Sequence, residues 1–195
     1  SPVTRADLAS DALIRDGLTG AFPTHSILSE EASAHIGSDD FTWIVDPLDG
    51  TQGFIDDTPH YAVQLGLLQG EVPILGAFYE PRTKRLFFAS RGQGAFMKGH
   101  DGQVRQLRVS THQDPSDMRL VTSTTIPAAI RKEVLLQTGI SDGGTVRSVG
   151  CKVGKLVLQE ADVYLSHHPI NYWDSCGPLM VLIEAGGQWT DLDNT

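Results

Sequence analysis

The sequence predicts an α+β protein whose second half turns to alternating α/β, and three observations carry that expectation. Between residues 61 and 97, short β-prone runs follow one another across tight turn residues without a helical period, as in an antiparallel meander. After the polar stretch 113–117, strand-like and helix-like segments alternate, which divides the chain into an N-terminal α+β half, 1–112, and a C-terminal α/β half, 113–195. Twice in the first half an apolar run ends abruptly in carboxylates: Ile27-Leu28 before Glu30-Glu31, and Trp43-Ile44-Val45 before Asp46.

Composition narrows the class. At 195 residues and 40% hydrophobic content the chain can bury one sizeable core, and no apolar run is long enough to span a bilayer. Lys and Arg number 15 against 24 Asp and Glu, formally −9, which argues against a nucleic-acid polymer as partner and means that an anionic ligand needs a metal. Cys151 and Cys176 cannot supply a disulfide framework, and no signal-peptide pattern opens the chain, so a reducing cytoplasm is expected.

Taken in order, Thr4 with Asp7 three residues on reads as a helix N-cap, and Leu8, Ala9, Ala12, Leu13 and Leu18 supply the apolar stripe of a helix over 5–18. For Asp7 a capping role and a functional one are both open. Ile27-Leu28 is a short strand, and residues 32–40, rich in Ser, Gly and Asp, read as a loop over the site. The strand at 43–45 stops at Asp46, because Pro47 lacks the amide that a central strand uses. Strands are expected over 61–68, 72–79, 85–89 and 94–97. Arg91-Gly92-Gln93-Gly94 has the look of a phosphate-binding glycine loop but no helix after it, so a hairpin turn is expected. In the second half, strands fall at 120–122, 145–149, 163–165 and 188–190, and the tail 191–195 reads as a strand running into a turn. Helices fall at 128–138, closed by Gly139, at 153–160, and from Trp173-Asp174 to Ala185, stopped by Gly186-Gly187. His60, His100 and His112 lack ligand spacing and read as surface residues.

The chain is organised around Trp43-Ile44-Val45-Asp46-Pro47-Leu48-Asp49-Gly50-Thr51-Gln52-Gly53-Phe54. Asp46 and Asp49 face one small volume across a tight turn, and the Leu48 carbonyl is a third oxygen beside them. Gly50 lets the backbone approach an anion, and Thr51 opens the next helix or turn. Hard oxygen donors of this kind suit Mg²⁺. The four-residue core alone is equally compatible with an Asp-rich turn.

The longer stretch resembles the signature of the lithium-sensitive, Mg²⁺-dependent phosphatase superfamily, which holds inositol monophosphatases, 3'(2'),5'-bisphosphate nucleotidases and fructose bisphosphatases. Ser1-Pro2-Val3-Thr4-Arg5-Ala6-Asp7, Leu28-Ser29-Glu30-Glu31, and Trp173-Asp174-Ser175-Cys176 leading to Glu184-Ala185-Gly186-Gly187 agree with it in order and approximate spacing. The resemblance implies a layered αβαβα sandwich. Family members extend further at both ends, so an N-terminal helix and a C-terminal strand-helix segment are expected beyond the present sequence, and inhibition by Li⁺ is implied as well. It also implies a ligand set of Glu30, Asp46, the Leu48 carbonyl, Asp49 and Asp174 for two or three Mg²⁺ ions, with Glu30 rather than Glu31 as the ligand and Glu31 solvated. Glu30, or Asp7 acting through Thr51, would take the proton from an attacking water, and the Gly50 and Thr51 amides would hold phosphate.

The substrate implied is a small phosphorylated molecule, with a homodimer left open as the assembly. Ser148-Val149-Gly150-Cys151-Lys152-Val153-Gly154, with Asp162 and Tyr164 downstream, looks like the bisphosphate nucleotidase branch, in which a Lys at this position contacts the second phosphate or the nucleotide. That points to 3'-phosphoadenosine 5'-phosphate, with Lys152 and Asp174 as substrate-side residues. Ser166-His167-His168 departs from those nucleotidases that carry an Arg there. An inositol or sugar phosphatase shares every ligand, and a non-catalytic relative retaining the fold is the reading from another class.

Overall fold

A computed structural model of the chain describes residues 2–191. The meander is the greater part of a seven-stranded sheet in sequence order: β1 (Ser26–Ser29), β2 (Phe41–Asp49), β3 (Ala62–Gln69), β4 (Val72–Glu80), β5 (Arg85–Ser90), β6 (Ala95–Lys98) and β7 (Val104–Leu107). All its pairings are antiparallel except β1 with β2, which is parallel. A second, all-parallel sheet is built from β8 (Arg119–Ser123), β9 (Ser141–Val146) and β10 (Val163–Leu165), in the order β10-β8-β9. The helices are α1 (Arg5–Ala21), α2 (Thr51–Ile55), α3 (Ala128–Thr138), α4 (Val149–Val157) and α5 (Tyr172–Glu184).

α1 covers one face of the large sheet, where Ile14 and Leu18 pack on Trp43, Val45 and Leu67. α4 and α5 lie between the two sheets, and their Val153, Leu156 and Val181 join Phe78 and Phe87 of the large sheet with Val121 and Val146 of the small one. α3 buries no residue and forms the outermost layer. These layers make the expected αβαβα sandwich. Among the described residues no helix is long and apolar enough to cross a membrane.

Several local expectations are corrected. α1 does not turn Leu8, Ala9, Ala12 and Leu13 inward: all four are exposed, and the inward face runs Asp7, Asp11, Ile14, Leu18. The helix keeps its helical spacing, but its first two turns face the polar ends of β1 and β2 rather than the core. β2 does not stop at Asp46. It runs on through Pro47 to Asp49, and the pairing with β3 shifts register between Asp46 and Asp49. A bulge is where a sheet tolerates the missing proline amide.

β7 was not expected at all, since Val104–Leu107 carries only two apolar residues. The segment 145–149 is not one strand. Ser148 caps α4 by accepting from the Cys151 amide, so the helix starts at Val149, earlier than expected, and is buried along most of its length. Residues 188–190 form no strand, and the tail 192–195 lies outside the described residues. The 91–94 turn does bind an anion, its own: the Gly92 and Gly94 amides each donate to the Glu184 carboxylate at 2.8 Å, joining the end of α5 to the β5–β6 turn.

Candidate metal centre

The bulged end of β2 delivers two carboxylates to the seam between the halves. Asp46 is wholly buried and accepts from the Leu48 amide at 3.0 Å, with Gln64 Nε2 at 3.5 Å. Asp49, also buried, accepts from Ser148 Oγ at 2.5 Å and from the Gly150 amide at 2.9 Å, so the first turn of α4 holds it from across the cleft. Asp174 arrives on α5 at the third helical position, where its Oδ2 accepts from the Asn171 amide and Nδ2. The N-cap is therefore Asn171 rather than Asp174. Carboxylate oxygens of Asp46, Asp49 and Asp174 all lie within 4.8 Å of one another.

Three carboxylates so close, two of them buried, are electrostatically costly. Burial, then the charges of Asp49, Glu30 and Asp174, push the Asp46 carboxyl well above the ordinary range. Burial also raises Asp49 to about 6, against the lowering effect of Ser148, Gly150 and Lys152. Glu30, at the end of β1, donates its amide to the Val45 carbonyl at 3.2 Å, which sets it beside Asp46. Glu31 is not simply solvated. It is half-buried, and desolvation with the charges of Asp7 and Asp11 raises its carboxyl.

Asp7 caps α1 and also reaches Thr51. Its Oδ2 accepts from the Thr4 amide at 2.9 Å and the Thr4 hydroxyl at 2.5 Å, completing a capping box. Its Oδ1 lies 3.0 Å from Thr51 Oγ1, which is also 3.2 Å from the Leu48 carbonyl. Gly50, at φ +87°, lets the chain turn from β2 into α2, and a Cβ there would meet the His60 carbonyl oxygen at 2.5 Å.

Lys152 is neither solvated nor at the mouth of the cleft. Only 1% exposed, it donates to Ser123 Oγ at 2.9 Å and the Arg147 carbonyl at 3.2 Å, with its ammonium 4.7 Å from the Tyr164 ring centre. Burial pulls its pKa down to about 8, against the opposing pull of Asp49 and Asp174. Asp162 lies away from the acidic cluster, bound to the Arg119 amide and guanidinium and to His112. Ser148, Gln64, Ser10 and Asp11 were not foreseen near the site. Ser148 carried a legible signal, a serine directly before an apolar helix-forming run.

The donor set is all oxygen and crowded, with Asp46 and Asp49 buried and Asp174 half-buried, the chemistry that fits Mg²⁺ and that is costly without a cation. The Inositol monophosphatase family model matches residues 1–195. A fructose-1,6-bisphosphatase/inositol-1-monophosphatase of Aquifex aeolicus is 28% identical over 96% of this chain and 71% of its own length. The 3'(2'),5'-bisphosphate nucleotidase CysQ of Aggregatibacter actinomycetemcomitans is 30% identical, covering 99% and 73%. The structure of inositol monophosphatase from Anabaena (Nostoc) sp. PCC 7120 superposes with a TM-score of 0.85 at 31% identity, covering 99% of this chain and 77% of that one. A match over the whole chain, the same layered fold and an acidic centre at the seam agree: this chain belongs to a family of phosphatases, the inositol monophosphatase family.

Proposed function

We propose that the chain hydrolyses small phosphate monoesters at this acidic centre with Mg²⁺, and the observation that carries the reading is the convergence of Asp46, Asp49 and Asp174 within 4.8 Å. Glu30, the Leu48 carbonyl and those three residues hold the cation. When bound, Mg²⁺ supplies Lewis-acid stabilisation of the charge on the phosphoryl oxygens. Thr51 orients the attacking water: with its own proton directed to Asp7 Oδ1 at 3.0 Å, its lone pairs are left to accept one from water. Glu30, or Asp7 through Thr51, takes the proton, and the Gly50 and Thr51 amides hold the phosphate.

Within the family, we read the substrate as a bisphosphorylated nucleotide, 3'-phosphoadenosine 5'-phosphate. Support comes from the Lys152 cation beside the cluster and from likeness to a bisphosphate nucleotidase. Two of the three ammonium protons of Lys152 are engaged by Ser123 and Arg147 and the Tyr164 ring lies 4.7 Å away, so a phosphate oxygen must displace one of these partners to reach the buried cation. Lys152→Met should therefore lower kcat/KM for 3'-phosphoadenosine 5'-phosphate by roughly ten- to a hundredfold, the worth of one charge-assisted contact, and barely change that for inositol 1-phosphate. Phosphate release from both substrates and from fructose 1,6-bisphosphate checks this. Equal losses on all three would make Lys152 a structural tie and favour an inositol or sugar phosphatase.

A further inference from the structure

The turn that enters α4 ties the second half of the chain to the end of β2 through one carboxylate oxygen. Ser148 Oγ, at 2.5 Å, and the Gly150 amide, at 2.9 Å, both donate to Asp49 Oδ2. Ser148 is wholly buried, and its approach depends on the bare backbone of Gly50, where a Cβ would meet Ser148 Cβ at 3.2 Å. The direction of the serine proton is fixed as well. Its oxygen accepts from the Cys151 amide at 3.0 Å, so its one hydroxyl proton goes to Asp49. Arg147 adds a second tie, to Asp56 at 3.0 Å, but both side chains are about a third exposed and a pair of that kind contributes little. The buried serine carries the connection.

We propose that Ser148 is a positioning residue that sets the rotation of the Asp49 carboxylate, so that Oδ1 is the oxygen presented to the cation. The terminal torsion of an aspartate is soft, and the backbone alone does not select which oxygen faces a ligand. Two donors on Oδ2 select it. Oδ1 is then left for a hard cation that also takes oxygens from Asp46 and Asp174, all within 4.8 Å of one another. Without the Ser148 hydroxyl the Gly150 amide alone holds Oδ2, and the carboxylate must be re-ordered each time a cation binds.

The proposal rests on Asp49 being a metal ligand, and Mg²⁺ titration calorimetry beside melting curves in chelator separates the two ideas. Partners that orient a ligand without touching the metal typically account for about 10–100-fold in metal affinity. Ser148→Ala is expected to weaken Mg²⁺ binding by about tenfold, measured well below the melting temperature of the metal-free variant. Ser148→Cys keeps the side chain close to its size and replaces the hydroxyl with a weak donor, so a loss in the same direction is expected, and it supplies the comparison even if Ser148→Ala does not fold. Wild-type Mg²⁺ affinity in the folded variant, with only Tm lowered, would make Ser148 a cap of α4 and nothing more, and would overturn the proposal alone. An Asp49→Asn protein that binds Mg²⁺ like the wild type would overturn the ligand reading and the proposal with it.

Discussion

Asp46→Asn is expected to lower kcat for a phosphomonoester by about 10³-fold or more while making the metal-free protein more stable. Preorganised charge stabilisation at a phosphoryl group contributes heavily to catalysis, and loss of even one neutral donor from such a site typically costs about 10²–10³. Asp46 is the most buried of the three clustered acids, so its charge has no solvent substitute. The stability effect has the opposite sign. Asp46 and Asp49 have folded-state pKa values above their ordinary ones, so at these two positions the folded protein binds more protons than the unfolded chain. The contribution of these two groups to the stability of the metal-free protein is then greatest below about pH 4 and falls as pH rises through the Asp49 value of about 6. Asn at 46 removes one charge from that repulsion and should flatten the decline. Melting curves of both proteins in chelator between pH 4 and 7 check this. A variant less stable than wild type at pH 7 would mean that the cluster is held by compensating contacts rather than by a cation.

Gly76→Ala should be among the most damaging changes outside the centre. α5 lies so close on β3 and β4 that a Cβ at Gly76 would sit 2.7 Å from Met180 Cβ and overlap the Gly177 carbonyl oxygen. Backbone cannot swing aside as a long side chain can, so the helix must lift. Overpacking of this severity costs about 3 kcal/mol, or roughly 6–12 °C in Tm for a chain of this size. Because α5 carries Asp174, Mg²⁺ affinity should fall along with stability. A Gly76→Ala protein with unchanged Tm would show that α5 is not pinned to the sheet at this point.

The meander was legible because strand runs and Gly- or Pro-containing turns are local signals, and so was the end of α3 at Gly139, which takes φ +72°. The α1 face was not legible from hydrophobicity. Leu8 and Leu13 outrank Asp7 and Asp11 on any apolar scale, yet only carboxylates and hydroxyls on that face can tie Thr51 and Ser29. Pro47 misled for a related reason: a rule about regular strands does not register a bulge. In the site, Asp46 and Asp49 could be paired from spacing because they lie only three positions apart. Asp174 was placed by resemblance alone. Ser148 could be read as a helix cap, but its hold on Asp49, 99 residues earlier, lay beyond the reach of any local pattern. The charge of Lys152 was noticed, but its burial depends on Ser123 and Tyr164, which only the folded second half brings to it.

The central claim is that the crowded carboxylates act by holding a cation for phosphate-ester hydrolysis. Phosphate release from a phosphomonoester, measured in Mg²⁺, then in excess chelator, then after Mg²⁺ is restored, tests it most directly. Turnover should fall to background in the chelator and return with the metal; undiminished turnover in the chelator would contradict the account.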